Sequence, residues 1–586
     1  MSNPPSSSSS SRSSSMASSS LPRTPPNMHQ NTIDPEAKWL VQKFGGTSVG
    51  KFATKIAEDI IAEYIDQHKV AIVCSARSGS TKALGTTNLL LRAAKEALQR
   101  TSSPSETPGH MTPALFSRTS QAQSPVDSPR GRSTSSPRMD PVTPGGALNM
   151  SSMSTKAPPF SETVDLIPEL LRELEMEIER DCDSLRSFWG VIDEISPRSR
   201  DTIIGFGERL ACKVMTAILR DRGIDAEYVS LENVVPLTEE ESYTGETLGQ
   251  EFYDRVAEAV SERIKQCEPR VPVVTGYFGP VPGSLLRQVG RGYTDLLAAL
   301  LAAGLGASEL QIWKEVDGIF TADPRKVPTA RLIPIISPEE AAELTYYGSE
   351  VVHPFTMEQV IRRRIPIRIK NVENPQGGGT VIHPDPDIDA APYTEEAGIP
   401  IPGTSTVFRP VGDLHAARDE RKLPTAVTIK ERIVVLNVNS NRKSVSHGFL
   451  AGVFGTLDRY GVVVDLISTS EVYVSMAIED NLDKKLLDRV VRELQKSGTV
   501  TVSRDMAILS LVGKRMRNMV GIAGRMFTTL GDGKVNIEMI SQGANEINIS
   551  CVIDSRDAVK ALNLIHQSCL QIRPDGARGR MGPWLF

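Results

Sequence analysis

Residues 41–50 read VQKFGGTSVG, and their reading decides the fold. A stretch with strand texture, KWLVQKF (38–44), carries Lys43 at its end and runs into Gly45 and Gly46, with Thr47 and Ser48 behind them. This is the composition of a strand-to-helix turn that cradles phosphate. Glycines without a Cβ let backbone N–H groups come close to an anion, and a helix beginning near Val49 would aim its positive end at the same point. A P-loop has its lysine after the glycines; here Lys43 would supply its charge from the strand side.

The texture repeats outward from this turn. KVAIVCSA is a second strand, with KIAEDIIAEYIDQH as a helix before it. ETVDLIPELLRELEMEIERDCDSL places Val164, Ile167, Leu171, Leu174 and Ile178 at helical spacing. VPVVTGYFG and ELQIWKEV are further strands around a largely apolar helix, TDLLAALLAAGL. Such alternation predicts an α/β fold over residues 37–385, a three-layer sandwich around a mainly parallel sheet. Small, hydroxyl and charged residues gather where its strands end, which suggests a ligand crevice along the carboxyl edge. Among these stretches are VCSARSGSTKALG (73–85), GFGERLACKVM (205–215) with Glu208 at a helix start, and GRGYTD, in which Thr294 and Asp295 open a helix. WKEVDGIFTADPRKVP (313–328) is another. His353, in VVHP, has apolar neighbours and a following proline, and reads as structural.

After a Pro-rich connector (386–424) the pattern changes. ERIVVLNVNS, GFLAGVFGTLDRYG, VVVDLIST and VYVSMAIE read strand, helix, strand, strand. AILSLVG, GIAGRMFTTLGDG, VNIEMISQ and EINISCVI repeat that order, and a helix candidate closes each copy. This is a duplicated, ferredoxin-like βαββα unit, expected over 425–504 and 505–575 as consecutive or interleaved copies, followed by a short tail, 576–586.

Two segments have too little apolar surface to offset chain entropy: 1–36 and about 100–160, both rich in Ser and Pro. They read as a disordered tail and a disordered insertion. The second holds seven Ser-Pro or Thr-Pro pairs, at Ser103, Thr107, Thr112, Ser124, Ser128, Ser136 and Thr143, which proline-directed kinases could use. The first lacks the apolar core of a secretory signal, and its two arginines form no amphipathic presequence. With no apolar run near the ~20 residues of a membrane helix, the expectation is a cytoplasmic protein. The formal net charge of -5 over 586 residues argues against a nucleic-acid partner. Six scattered cysteines form no CxxC, and no Cys/His cluster has metal-ligand spacing.

KFGGTSVG, VCSARSGSTK, GFGERL, GRGYTD, W-x3-DGIFTADPR, GSEVVHP and IKNVENPQGGGT occur here in the order found in aspartate kinases of the amino-acid kinase superfamily. The duplicated tail looks like their paired ACT domains. The resemblance spans about residues 38–575, leaves out both Ser/Pro segments, and is nearest the fungal, monofunctional branch. It implies transfer of the γ-phosphoryl of ATP, with Mg²⁺, to the side-chain carboxylate of L-aspartate, opening threonine and methionine biosynthesis. By match to the family motifs, Lys43 would stabilise the transferring group and Asp295 would orient Lys43. Glu208 would meet the substrate ammonium and Arg291 its α-carboxylate, with Ser75, Thr81 and Thr294 lining that site. The resemblance puts ATP against Gly45, Gly46, Thr47, Ser48, Lys314, Glu315, Phe320, Thr321, Asp323, Arg325, Lys370 and Asn371. Many bacterial members have Thr-Asp at 314–315 and Tyr at 320. It names no metal ligand.

For the ACT pair, the resemblance implies a homodimer or higher oligomer that binds an amino-acid effector at Ser446, Gly448, Val464, Asp465, Thr469, Ser470 and Glu471. Gln542 and Asn545 are the second copy's equivalents, and the fungal likeness favours L-threonine over lysine. Two rival readings stand beside this one: a kinase acting on another carboxylate such as glutamate, and a sensor using the ACT pair alone. GFGERL with the ACT tail speaks against the first, and Lys43, Glu208, Arg291 and Asp295 together speak against the second.

Overall fold

The computed structural model describes residues 28–79, 85–101, 167–192, 194–235, 248–279, 281, 284–349, 352–384, 423–440, 448–543 and 547–572. The Ser/Pro insertion, nearly all of the connector and tail expected above, Thr81, Ser446 and Asn545 lie outside these residues, as does the side chain of Arg291.

Eight strands form the first sheet: β1 (Trp39–Phe44), β2 (Lys69–Cys74), β3 (Ala226–Val229), β4 (Val271–Thr275), β5 (Glu309–Lys314), β6 (Ile335–Ile336), β7 (Ile367–Asn371) and β8 (Thr380–Ile382). Their order is β3-β4-β2-β1-β5-β7-β8-β6. Every pairing from β3 across to β7 is parallel, and only β7–β8 is antiparallel. All of β1 is buried, as a strand covered on both faces should be. One face packs against helices Gln250–Lys265, Tyr293–Leu305 and Pro354–Ile361, the other against helical residues 46–64 and helix Pro197–Asp221. Tyr293–Leu305 is apolar nearly all round and accordingly lies in the interior. β1 has β2 on one side and β5 on the other, so the connections diverge on either side of it. A sheet of this kind opens its crevice at such a point.

Four local expectations differ from the structure. The helix after the glycine turn begins at Gly46 rather than near Val49. The helix expected from Glu162 is observed as Pro168–Val191, with Pro168 in its first turn, where a missing N–H costs nothing. Glu208 lies mid-helix, because that helix starts at Pro197 behind the Ser196 cap and runs straight through Gly205 and Gly207. Gly205 is there for packing rather than turning: a Cβ on it would sit 2.5 Å from the Tyr277 ring. Finally, the end of the presumed N-terminal tail is ordered. Asn31, 2% exposed, donates its side-chain N–H to Val70 O and accepts from Val70 N, each at 3.0 Å, imitating a strand partner from a polar stretch.

The second sheet is antiparallel throughout, in the order β10-β11-β9-β12-β14-β13. Its strands are β9 (Ala426–Ser440), β10 (Leu466–Thr469), β11 (Tyr473–Glu479), β12 (Gly498–Val512), β13 (Met539–Gln542) and β14 (Asn548–Asp554). β9 and β12 each run 15 residues and pass through both βαββα halves, with the pairing register shifting between Ser503 and Ile508. The first half of β9 therefore pairs with the second half of β12, which interleaves the two copies.

Candidate active site

The carboxyl edge of β1 gathers most of the residues singled out above. Lys43, 9% exposed, points its Nζ at Asp295 Oδ1, 2.7 Å away at the start of helix Tyr293–Leu305. Directly after the strand, Gly46 packs so closely on the next strand's loop that a Cβ would stand 2.2 Å from the Ala76 carbonyl oxygen. Ser78 N donates back to Gly46 O at 3.0 Å, and Ser75 N to Phe44 O at 3.2 Å, so the β1 and β2 loops are tied together. Ser48 is buried and donates its hydroxyl to Glu315 Oε1 at 2.8 Å, which joins the glycine turn to the end of β5.

Glu208 lies under this edge, 1% exposed. Its Oε1 accepts from the Tyr293 hydroxyl at 2.9 Å and the Thr294 hydroxyl at 2.8 Å, and its Oε2 accepts from Tyr277 N at 2.9 Å. Burial pushes the carboxyl up to about 7 even against these donors, of which Thr294 opposes it most. Burial also pushes the Tyr293 phenol well up, so it remains a donor. Glu208 thus holds in place the strand-to-helix segment that delivers Thr294 and Asp295.

Farther along the edge, a cavity of about 250 Å³ is lined by Asp317, Phe320, Leu332, Asn371 and Asn374 with two glycines. Asn371 and Asn374 donate to Asp317 Oδ1 at 3.1 and 3.3 Å. Lys314 closes β5 beside it. Asp323 and Arg325 form a bidentate pair at 3.0 and 3.1 Å on an open loop. Asp323 feels a burial that would raise it, yet Arg325 holds it below the ordinary carboxylate range.

Two residues expected at the nucleotide turn elsewhere. Lys370 is buried, donates to the Tyr64 hydroxyl at 3.0 Å and sits 5.0 Å from the Trp313 ring centre, beneath the sheet. Thr321 Oγ1 lies 2.9 Å from His566 Nε2 and accepts from Arg331 N, facing the second sheet's last helix. His353 caps helix Pro354–Ile361 by accepting from Phe355 N at 3.3 Å, a structural contact. Tyr64, Tyr277, Tyr293 and Asp317 were not singled out in the sequence. Tyr293 and Asp317 stand inside the quoted motifs GRGYTD and DGIFTADPR, so proximity to flagged residues was their signal; Tyr64 and Tyr277 gave none.

Residues 38–371 match the Amino acid kinase family, and residues 509–569 match the ACT domain. An aspartokinase of Schizosaccharomyces pombe is 48% identical over 541 residues, covering 92% of this chain and 94% of its own length. The chain belongs to the aspartokinase family. The Saccharomyces cerevisiae aspartokinase is 44% identical, covering 92% of this chain and 94% of its own. In fold, the chain is similar to Escherichia coli aspartokinase III in complex with aspartate and ADP, with a TM-score of 0.56 and 23% identity over 91% of this chain and 99% of that one. It is similar also to the same protein in complex with lysine and aspartate, with a TM-score of 0.57 and 22% identity over 90% and 99% of the two chains. The chain is thus an aspartate kinase, a transferase of amino-acid biosynthesis. Among the described residues no helix is long and apolar enough to cross a membrane.

Glu208 gives the enzyme a pH signature. Its folded value near 7 lies above the ordinary 4.5, so between these values the folded state holds more protons than the unfolded. Stability therefore falls as pH rises through that window, by about 3 kcal/mol in all. Glu208→Gln, which does not titrate, removes this pH dependence. The wild-type melting temperature is expected to fall more steeply from pH 5 to pH 8 than that of Glu208→Gln, and parallel profiles would contradict this.

Proposed function

We propose that the enzyme transfers the γ-phosphoryl group of ATP to the side-chain carboxylate of L-aspartate, giving 4-phospho-L-aspartate. The observation that carries this reading is the Lys43–Asp295 pair at the carboxyl edge of β1, beside the Gly45–Gly46 turn. The acceptor carboxylate is already ionised at neutral pH and needs no base. The obstacle is repulsion between an anionic nucleophile and a polyanionic phosphate, so catalysis rests on position and positive charge. Lys43 neutralises the transferring group, and Asp295 fixes the ammonium in one orientation without taking a proton.

L-Aspartate lies on the side of Ser75, Thr81, Arg291 and Thr294. Its ammonium meets Glu208 by replacing one of the hydroxyl donors at Oε1, and its α-carboxylate meets Arg291. ATP lies along Gly45, Gly46, Thr47 and Ser48, with Lys314 and Glu315 beside it. Its base side lies toward Phe320 and Asn371, and Asp323 and Arg325 stand near the phosphates. Lys370 and Thr321 act here as supports, beneath the sheet and at the domain seam. Mg²⁺ enters with the nucleotide; among the described residues no group of three or more His, Cys, Asp or Glu is arranged to hold a metal. Phosphate oxygens and water suit this ion, which seldom takes an all-protein cage.

The catalytic unit spans 37–385, and the paired ACT units span 425–504 and 505–575 with interleaved strands. Effector residues Thr469, Ser470 and Glu471 are exposed beside edge strand β10, and Gly448 opens the helix Phe449–Arg459. Asp465 accepts from Lys430 Nζ at 2.7 Å, and Val464 is half-buried beside it. Nearby, Leu450, Phe454, Val463 and Ile467 are 36 to 78% exposed. An exposed apolar patch of this kind calls for a covering partner, and a second copy completing the effector site supplies one. L-Threonine is the proposed effector, acting by tighter binding to the less active state. The enzyme works in the cytoplasm, at the entry to threonine and methionine synthesis.

A coupled assay of ATP turnover tests the chemistry. Aspartate should drive turnover and glutamate should not, and Lys43→Ala should lower kcat by about a thousandfold, as loss of a major electrostatic group does. Undiminished turnover in Lys43→Ala would sink the mechanism. In the same assay, Glu471→Ala is expected to keep kinase activity and lose inhibition by L-threonine; full threonine sensitivity would show the effector lies elsewhere.

A further inference from the structure

The segment 284–294 carries Arg291 and Thr294 and leads into Asp295, and both its ends are held by one helix. At the far end Glu208 takes the Tyr293 and Thr294 hydroxyls. Seven residues earlier on helix Pro197–Asp221, Asp201 takes the near end. Its Oδ1 accepts from Ser284 Oγ at 3.0 Å and from Leu286 N at 3.4 Å, and its Oδ2 accepts from Leu285 N at 2.6 Å. Asp201 is 5% exposed and Ser284 1%. Positions seven apart on an α-helix share a face to within about 20° and lie about 10 Å apart along the axis. Two buried carboxylates on one stripe therefore clasp the two ends of a single strap.

Burying a carboxylate is costly. Burial pushes Asp201 above its ordinary range, while Ser284 and the N–H groups of Leu285 and Leu286 pull it back. Ser284 caps the short helix Leu285–Gln288 by accepting from Arg287 N, and Asp201 takes the two first-turn N–H groups that this cap leaves, those of Leu285 and Leu286, so the carboxylate anchors the start of the strap.

We infer that Asp201 is a positioning residue for the L-aspartate side of the site. It sets where the strap begins as Glu208 sets where it ends, and together they fix the backbone that carries Arg291 and Thr294 relative to Lys43. The inference rests on the assignment of this strap to the amino-acid substrate made above. Asp201's hydrogen bonds run to the strap, so it acts through it.

The test compares steady-state constants for both substrates in the wild type, Asp201→Ala, Asp201→Asn and Ser284→Ala. In Asp201→Ala the KM for L-aspartate is expected to rise about tenfold, as loss of buried hydrogen bonds to a charge allows, with the KM for ATP within about twofold. Asp201→Asn keeps the shape and one acceptor oxygen, and should limit the rise to about threefold. A purely structural role would lower the melting temperature and the active fraction but leave both KM values at wild type, and that result overturns the inference. Should Asp201→Ala not fold, an unchanged aspartate KM in both Asp201→Asn and Ser284→Ala overturns it equally. Wild-type protein without aspartate-dependent turnover overturns the functional reading and this inference together. Normal wild-type turnover with insensitive variants removes the inference alone.

Discussion

An ammonium and a carboxylate, Lys43 Nζ and Asp295 Oδ1, meet at 2.7 Å where β1 ends and helix Tyr293–Leu305 begins. Both side chains are largely withdrawn from water, at 11% and 20% exposed. A pair so placed contributes little net stability, because desolvation consumes much of its attraction. What it leaves is a cation largely withdrawn from water beside the Gly45–Gly46 turn. The surrounding architecture serves that placement. β1 is buried on both faces, Gly46 lets the β2 loop close over the turn, and Ser48 locks the turn to Glu315.

The same chain of contacts continues into the second sheet. Thr321, in the loop after β5, meets His566 through its hydroxyl and accepts Val427 N at its carbonyl at 2.8 Å, while Ala322 and Val327 pack in the core of the second βαββα copy. Glu340 Oε1 accepts from Thr425 Oγ1 and Lys514 N at 2.6 and 2.7 Å, a second tie between the sheets. The loop after β5 and this second core are one packed unit. A shift of the second sheet therefore has a direct physical route to the loop after β5.

Much of this was legible in the sequence because it rests on period and punctuation. Strands β1, β2, β4 and β5, the apolar helix Tyr293–Leu305 and the doubled βαββα order follow from apolar spacing, and GGTS and GRGYTD mark where the chain turns; β3, β6, β7 and β8, most of them short, were not singled out. What misled was residue type taken without its partner. Glu208 was placed at a helix start behind two glycines, yet the helix runs through them, and the missing Cβ of Gly205 makes room for the Tyr277 ring. Lys370 and Thr321 look like ligand residues on a strand end and a loop; one is held by Tyr64 and Trp313, the other by His566, all distant in sequence. Asp201 gave no signal, since its meaning lies in Ser284, 83 positions away.

The most direct measurement is a crystal structure of the enzyme with L-aspartate and a non-hydrolysable ATP analogue. The account predicts Lys43 Nζ within hydrogen-bonding distance of the γ-phosphate, still oriented by Asp295, with the substrate's side-chain carboxylate in line behind that phosphorus. A triphosphate bound away from the β1 edge, with Lys43 touching only Asp295, would contradict it.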